Sequence, residues 1–194
     1  ENNIPEWFIE SCKKISYLFP RAHAVAYVMM AFRIAWFKVY HPLAFYAAYF
    51  SIRAKAFDLR IMTGDLKTQM TEFNRIKALD RAASPKDKDL MSALEVSMEM
   101  YQRGYRFINV DIQHSEARRF SIKDGALLPP FLAIDSLGET VADAIVAERE
   151  ERPFTSLKDL QRRCKVSNTI IDLMKELKCC GELPEDEQMS LFGA

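Results

Sequence analysis

The sequence predicts a mainly α protein with a minor β element. Three features carry that reading: apolar residues recur at helical spacing through most of the chain, proline and glycine fall between those stretches, and period-two alternation is confined to one short region. With 49% apolar and 11% aromatic residues, the 194-residue chain can bury one large core or two small ones, which excludes global disorder.

The first helix is expected in IPEWFIESCKKISYLF. Pro5 suits a first helical position, Glu6 opens the first turn, and Ile4, Phe8, Ile15, Leu18 and Phe19 recur at roughly helical spacing. Pro20 ends it. RAHAVAYVMMAFRIAWFKVYH is apolar on nearly every side, which predicts a mostly buried helix that stops before Pro42. Its longest apolar run, AVAYVMMAF, halts at Arg33, short of a membrane span. PLAFYAAYFSIRA reads as a further short helix and TGDLKTQMTEFNRIKALDRAA as an amphipathic surface helix. Ser84-Pro85-Lys86-Asp87 marks the best boundary in the first half, dividing residues 1–88 from 89–184. Beyond it KDLMSALEVSMEMYQRG ends on Gly104 as a C-cap, and YRFINVDI with ARRFSIKDGALLPP supplies a small hairpin turning at Lys123-Asp124-Gly125. ETVADAIVAERE, SLKDLQRRC and SNTIIDLMKEL complete the helices.

Lys plus Arg equals Asp plus Glu at 27 each, so overall charge argues neither for nor against nucleic acid. Distribution says more. From Ser11 to Phe57 there is no acid, while Lys13, Lys14, Arg21, Arg33, Lys38, Arg53 and Lys55 are basic; a phosphate-facing surface has this composition. CKKISYLFPRAHAVAY adds Tyr17, Phe19, Tyr27 and His23 to those cations, a mixture suited to phosphate oxygens and stacked bases. The chain opens with neither an initiator Met nor a signal-peptide pattern, and a soluble cytoplasmic fragment without membrane contact is expected. Cys12, Cys164, Cys179 and Cys180 form no CxxC or Cys/His cluster, so reduced thiols without zinc are expected. No P-loop, GxSxG or paired carboxylates beside a basic groove point to catalysis, and Asp111 and His114 in VDIQHS read as surface residues.

FLAIDSLGETVADAIVAERE has the layout of a helix-hairpin-helix. Leu137, Gly138, Glu139 and Thr140 form a tight turn into a helix, where backbone N–H groups can face a phosphate without reading bases. The common pattern has Gly where Ser136 stands. A second pair, SLKDLQRRCKVSNTIIDLMKELKC, offers Ser156 and Ser167 as caps, with Asp159 completing a capping-box-like arrangement; Arg162, Arg163 and Lys165 in its connecting turn are candidate phosphate contacts.

Taken together, CKKISYLFPRAHAVAYVMMAFRIAWFKVYHPLAFYAAYFSIRA, EMYQRGYRFINVDIQHSEARRFSI, LLPPFLAIDSLGETVADAIVAERE and the terminal QMSLF resemble the carboxy-terminal part of PolC-type bacterial replicative polymerases, the C-family polymerase III alpha subunits. The resemblance covers essentially the whole chain, in order. It implies that residues 1–88 belong to the polymerase fingers, that 89–184 form a duplex-binding domain with tandem helix-hairpin-helix motifs, and that 185–194 form a flexible clamp-binding tail. Lys13, Lys14, Arg21 and His23 would then lie near the deoxynucleoside triphosphate or template backbone, with Tyr17 and Phe19 against the nascent base pair. Family members use palm aspartates on two metal ions. No position here matches that motif, so the palm and its magnesium are expected to precede Glu1, the chain itself to need no cofactor, and the isolated fragment not to polymerise DNA.

QMSLF is similar to the family's sliding-clamp-binding pentapeptide. Gln188 would hydrogen-bond at a pocket rim while Met189, Leu191 and Phe192 enter it, the acidic lead of Glu182, Glu185, Asp186 and Glu187 giving reach. Two departures weaken the match: Ser136 at the first hairpin, and KELKCCGEL, where Lys178 stands in place of the expected Gly after Leu177. A stand-alone helix-hairpin-helix DNA-binding protein is the first alternative, and an interaction module whose cations form a buried rim is the second.

Overall fold

The computed structural model describes residues 4–14 and 21–186. Among them are nine α-helices and one two-stranded sheet: α1 (Glu6–Lys13), α2 (Arg21–Tyr40), α3 (Pro42–Ile52), α4 (Leu59–Met62), α5 (Leu66–Leu79), α6 (Pro85–Gln102), β1 (Ser121–Lys123), β2 (Ala126–Leu128), α7 (Glu139–Glu151), α8 (Leu157–Cys164) and α9 (Asn168–Glu176). The fold is mainly α, as the periodicity requires. The chain divides into two compact units, 1–41 and 42–194.

In the first unit α2 departs from expectation. It is apolar around its circumference, yet none of its residues is buried, and Phe32, Trp36 and Tyr40 stay more than 45% exposed. Each large apolar side chain left in water forgoes about 1.5 to 3 kcal/mol. The helix also runs through Arg33 to Tyr40, long and apolar enough to cross a membrane by length and composition alone. A guanidinium in the middle is costly in hydrocarbon, and a helix apolar on all sides is equally what a protein interior requires.

The second unit has two cores. The first joins Tyr46 and Phe50 of α3, Met62, Ile76 of α5, and Leu90, Leu94 and Met100 of α6 to Phe107 and Leu127. Phe50, Phe57, Phe107 and Phe120 interlock within it edge-on or tilted, with ring centroids 4.9–6.2 Å apart. Buried Gln69 locks α5 to α6: its amide donates to the Met62 carbonyl at 3.1 Å and its oxygen accepts from Ser97 at 2.6 Å. The boundary expected at Lys88 therefore falls inside one packed body. Ser84 and Asp87 form a capping box that starts α6, which is why the punctuation there looks like a border; the break in compactness lies at His41 and Pro42 instead.

Gly104, at φ 85°, ends α6 as its composition predicts, and Asp124 and Gly125, both at positive φ, form the two-residue turn between β1 and β2. The register pairs Ser121 with Leu128 and Lys123 with Ala126. YRFINVDI contributes less than a strand. Only Arg106–Ile108 lies along β2, through Ile108 N–H to the Leu127 carbonyl and Leu127 N–H to the Arg106 carbonyl, both 2.9 Å. Asp111 then folds the chain, its carboxylate accepting the Gln113 N–H at 2.8 Å.

The second core is built by the last three helices: Ala142 and Ile145 of α7, Leu157 and Leu160 of α8, and Ile170, Ile171 and Met174 of α9 close over Phe131, Ile134 and Leu137. Glu185 and Asp186 were expected in a flexible lead. They are held: the Pro184 and Glu185 carbonyls accept the first N–H groups of α8 from Leu157 and Lys158, Glu185 pairs with Lys175 at 2.7 Å, and Asp186 with Lys158. Residues 187–194, with the candidate clamp contacts Gln188, Met189, Leu191 and Phe192, lie outside the described residues.

Candidate nucleic-acid interface

The first hairpin runs from the 3-10 turn Phe131–Ala133 through Asp135–Gly138 into α7. Phe131, Ile134 and Leu137 are buried and anchor it; the Leu137 N–H is used by the Ile134 carbonyl at 3.2 Å. Leu137 thus supports the turn from beneath. Ser136 takes φ 64°, the left-handed conformation that explains the glycine common at this position. The turn geometry is retained despite the substitution.

Gly138 is the N-cap of α7, at φ −75° and ψ 156°, with no side-chain cap. A Cβ there would meet nothing within 4 Å, so the helix start is open to an approaching group. The Gly138 carbonyl accepts from Val141 and Ala142, whereas the N–H groups of Gly138, Glu139 and Thr140 have no partner among the described residues. All three residues are exposed. Two acids near the start of α7 face a guanidinium: Arg118 pairs with Glu139 and holds Asp143 in two hydrogen bonds, keeping the Asp143 carboxyl below the usual carboxylate range. Glu139 therefore offers its backbone, its side chain being turned to Arg118. Arg149, further along α7, fixes the preceding loop through the Ile112 and Ser115 carbonyls at 3.0 and 2.9 Å.

The second hairpin joins α8 to α9. Lys165 turns the chain at φ 54° and is exposed, Val166 plugs the core, and Ser167 caps α9 by accepting the Ile170 N–H. After α9, Lys178 adopts φ 56° in the glycine's stead; its N–H bonds the Lys175 carbonyl and the Cys179 N–H the Met174 carbonyl, both orphan carbonyls of the helix end. The departure at Lys178 thus keeps a left-handed helix end in place of the expected glycine.

Arg163 is corrected. Its side chain is 11% exposed, lies 4.8 Å over the Phe154 ring, and spends its donors on Glu148, Asp159 and the Arg152 and Glu148 carbonyls. With four hydrogen bonds inside the protein, it braces α7 against α8 and has little surface to offer a phosphate. Arg162 is 70% exposed and donates to Asp159 at 2.9 Å. Asp159, placed as a cap from sequence, is fully buried and receives Arg152, Arg162, Arg163 and the Thr155 N–H. Burial pushes its carboxyl up, but these hydrogen bonds prevail and hold it at about 2. Arg118, Arg152 and the buried role of Asp159 were missed by sequence reasoning; an acid inside the basic run KDLQRR was the available signal.

In the first unit, exposed Lys13 pairs with Glu10 at 3.1 Å, just outside the acid-free stretch, Lys14 is exposed, and Arg21 and His23 begin α2 with His23 edge-on to Tyr27 at 4.5 Å. Tyr17 and Phe19 lie outside the described residues. Asp111, His114 and Lys123 meet at 2.8 Å as a surface cluster. Among the described residues no group of His, Cys, Asp or Glu could hold a metal ion. A cleft of about 590 Å³ beside the first hairpin carries Lys55, Lys86 and Arg118 but also Asp58, Asp89 and Asp135, a balance unsuited to polyphosphate.

Residues 104–188 match the helix-hairpin-helix motif family, taking in both turns. Over 192 residues the chain is 48% identical to the DNA polymerase III PolC-type of Caldanaerobacter subterraneus subsp. tengcongensis, and over 195 residues 48% identical to that of Streptococcus pyogenes serotype M12. Each match takes in 99% of this chain and 14% or 13% of the relative. The chain thus spans about one-seventh of the length of these relatives. Over that span it is homologous to one helix-hairpin-helix-containing segment of PolC-type DNA polymerase III.

Proposed function

We propose that this chain is the part of a bacterial replicative DNA polymerase that grips duplex primer-template, contributes fingers residues beside the incoming deoxynucleoside triphosphate, and tethers the enzyme to the sliding clamp. One observation carries the reading: within the helix-hairpin-helix match, α7 begins at an uncapped, sterically open Gly138 whose neighbouring N–H groups lack partners. N–H groups converging at a helix start bind a phosphate oxygen through the positive end of the helix dipole, and make no contact with base edges. The grip is therefore sequence-independent.

Lys13, Lys14, Arg21 and His23, with Tyr17 and Phe19, serve the nucleotide and template side. Gln188, Met189, Leu191 and Phe192 serve the clamp, and attachment raises the local concentration of polymerase at DNA. Magnesium and the aspartates that hold it are assigned to a palm elsewhere in the parent enzyme, and this chain alone is expected not to polymerise DNA. The reading places the protein in the cytoplasm.

The test is duplex affinity of the parent enzyme, measured by fluorescence anisotropy on several unrelated sequences across a salt series. Near-equal affinities that fall together with salt support the reading, and strong preference for one sequence refutes it. Removing residues 188–192 is expected to abolish clamp capture; unchanged capture refutes the tether.

A further inference from the structure

Arg152 and Arg162 come from different elements, the end of α7 and the last turn of α8, yet converge on one atom. Their terminal nitrogens reach the same Asp159 oxygen at 3.2 and 2.9 Å, which places those nitrogens within about 6 Å of each other. Asp159 is buried, so it fixes both side chains from below, while the two arginine side chains remain 52% and 70% exposed. A third guanidinium, Arg163, shares the same carboxylate and takes Glu148 as its second acid. The cluster thus sets three cations against two carboxylates, and neither Arg152 nor Arg162 has another acidic partner among the described residues. Two exposed, pre-positioned guanidiniums sharing one carboxylate oxygen leave most of their donors directed away from it. An oxyanion bridging the pair would satisfy those donors and the surplus charge together.

We infer that Arg152 and Arg162 form a preset clamp for one backbone phosphodiester of duplex DNA, with Asp159 as the positioning residue beneath them. The clamp deepens the duplex-binding reading and rests on it. It extends the interface past the first hairpin, along the seam of α7 and α8, and Lys165 continues it one turn after Arg162 into the second hairpin.

The experiment is duplex binding by the full-length parent enzyme over a salt series with four sets of variants. Arg152→Gln and Arg162→Gln are each expected to lower the slope of log affinity against log salt, by about 0.9 for the loss of one phosphate contact, and the double variant to lower it no further if both hold the same phosphate. Arg152→Lys and Arg162→Lys preserve charge and fold, and are expected to keep the slope with weaker binding. Arg60→Gln removes an equally exposed cation, one paired with Glu176 away from the cluster, and is expected to leave the slope unchanged. Gly138→Asp blocks the hairpin and reports on the underlying reading. If Gly138→Asp weakens binding while the glutamine variants match Arg60→Gln, the clamp is refuted and the hairpin stands. If Gly138→Asp and the glutamine variants all bind as wild type, both are refuted.

Discussion

Replacing Gly138 by Asp should move stability and DNA affinity in opposite directions. The backbone already has N-cap geometry, φ −75° with ψ 156°, and a Cβ meets nothing within 4 Å, so the substitution introduces no strain or clash. The new carboxylate accepts an N–H of the first turn, which at an N-cap is worth a few tenths of a kcal/mol over glycine, with about 0.3–1 kcal/mol more from the helix dipole. It also occupies the place of the phosphate. Losing a charge-assisted hydrogen bond costs about 1.5–3 kcal/mol, a fall in affinity of about ten- to a hundred-fold, and the like charge adds about 1 kcal/mol at 4 Å before screening. Gly138→Ala is the control, because it fills the same space without an acceptor and should bind within about threefold of wild type. The assays are urea denaturation and anisotropy with a labelled duplex at fixed salt. A Gly138→Asp variant that is more stable yet binds DNA as wild type would refute the assignment of this helix start to a phosphate.

Ser136→Gly and Lys178→Gly should each raise stability by up to about 1 kcal/mol in urea denaturation, since both residues hold left-handed backbone and the relief of about 1–2 kcal/mol exceeds the added chain entropy; a loss of stability in both would contradict the turn geometry. Asp159 titrates near 2 when folded, below an unfolded carboxyl near 4, so its stabilisation is complete above pH 4 and lost as pH falls towards 2. Thermal unfolding across that window should show the loss, and Asp159→Asn should flatten it. Burial pushes the Cys164 thiol up to about 11 and the Cys179 thiol up to about 12, so at pH 8 both should resist iodoacetamide until the protein unfolds, as mass spectrometry of the labelled peptides would show.

The features legible in the sequence are those decided within a few residues. Gly104, Asp124-Gly125, Ser156 and Ser167 each act through a local hydrogen bond or a single backbone conformation, and each stands where its chemistry predicts. What escaped depends on partners distant in sequence. Arg163 reads as an exposed cation beside Arg162, and only the approach of Glu148, fifteen positions earlier, draws it inward. The capping box at Ser84 resembles a domain border because a helix start and a linker use the same residues, while Ile76 and Leu90 on its two sides belong to one core. The hairpin was readable as a pattern, whereas the bare N–H groups at Gly138 became visible only once every neighbour had a position.

The brace made by Arg163 has a further effect. With its guanidinium bonded to Glu148 of α7 and Asp159 of α8, it ties the two helices to each other. The interval between them becomes a fixed gauge, set by protein and not by ligand. On the proposed reading, a polymer whose repeating charges match that pitch is accepted whatever its letters, and one wound to a different pitch must deform or forgo a contact.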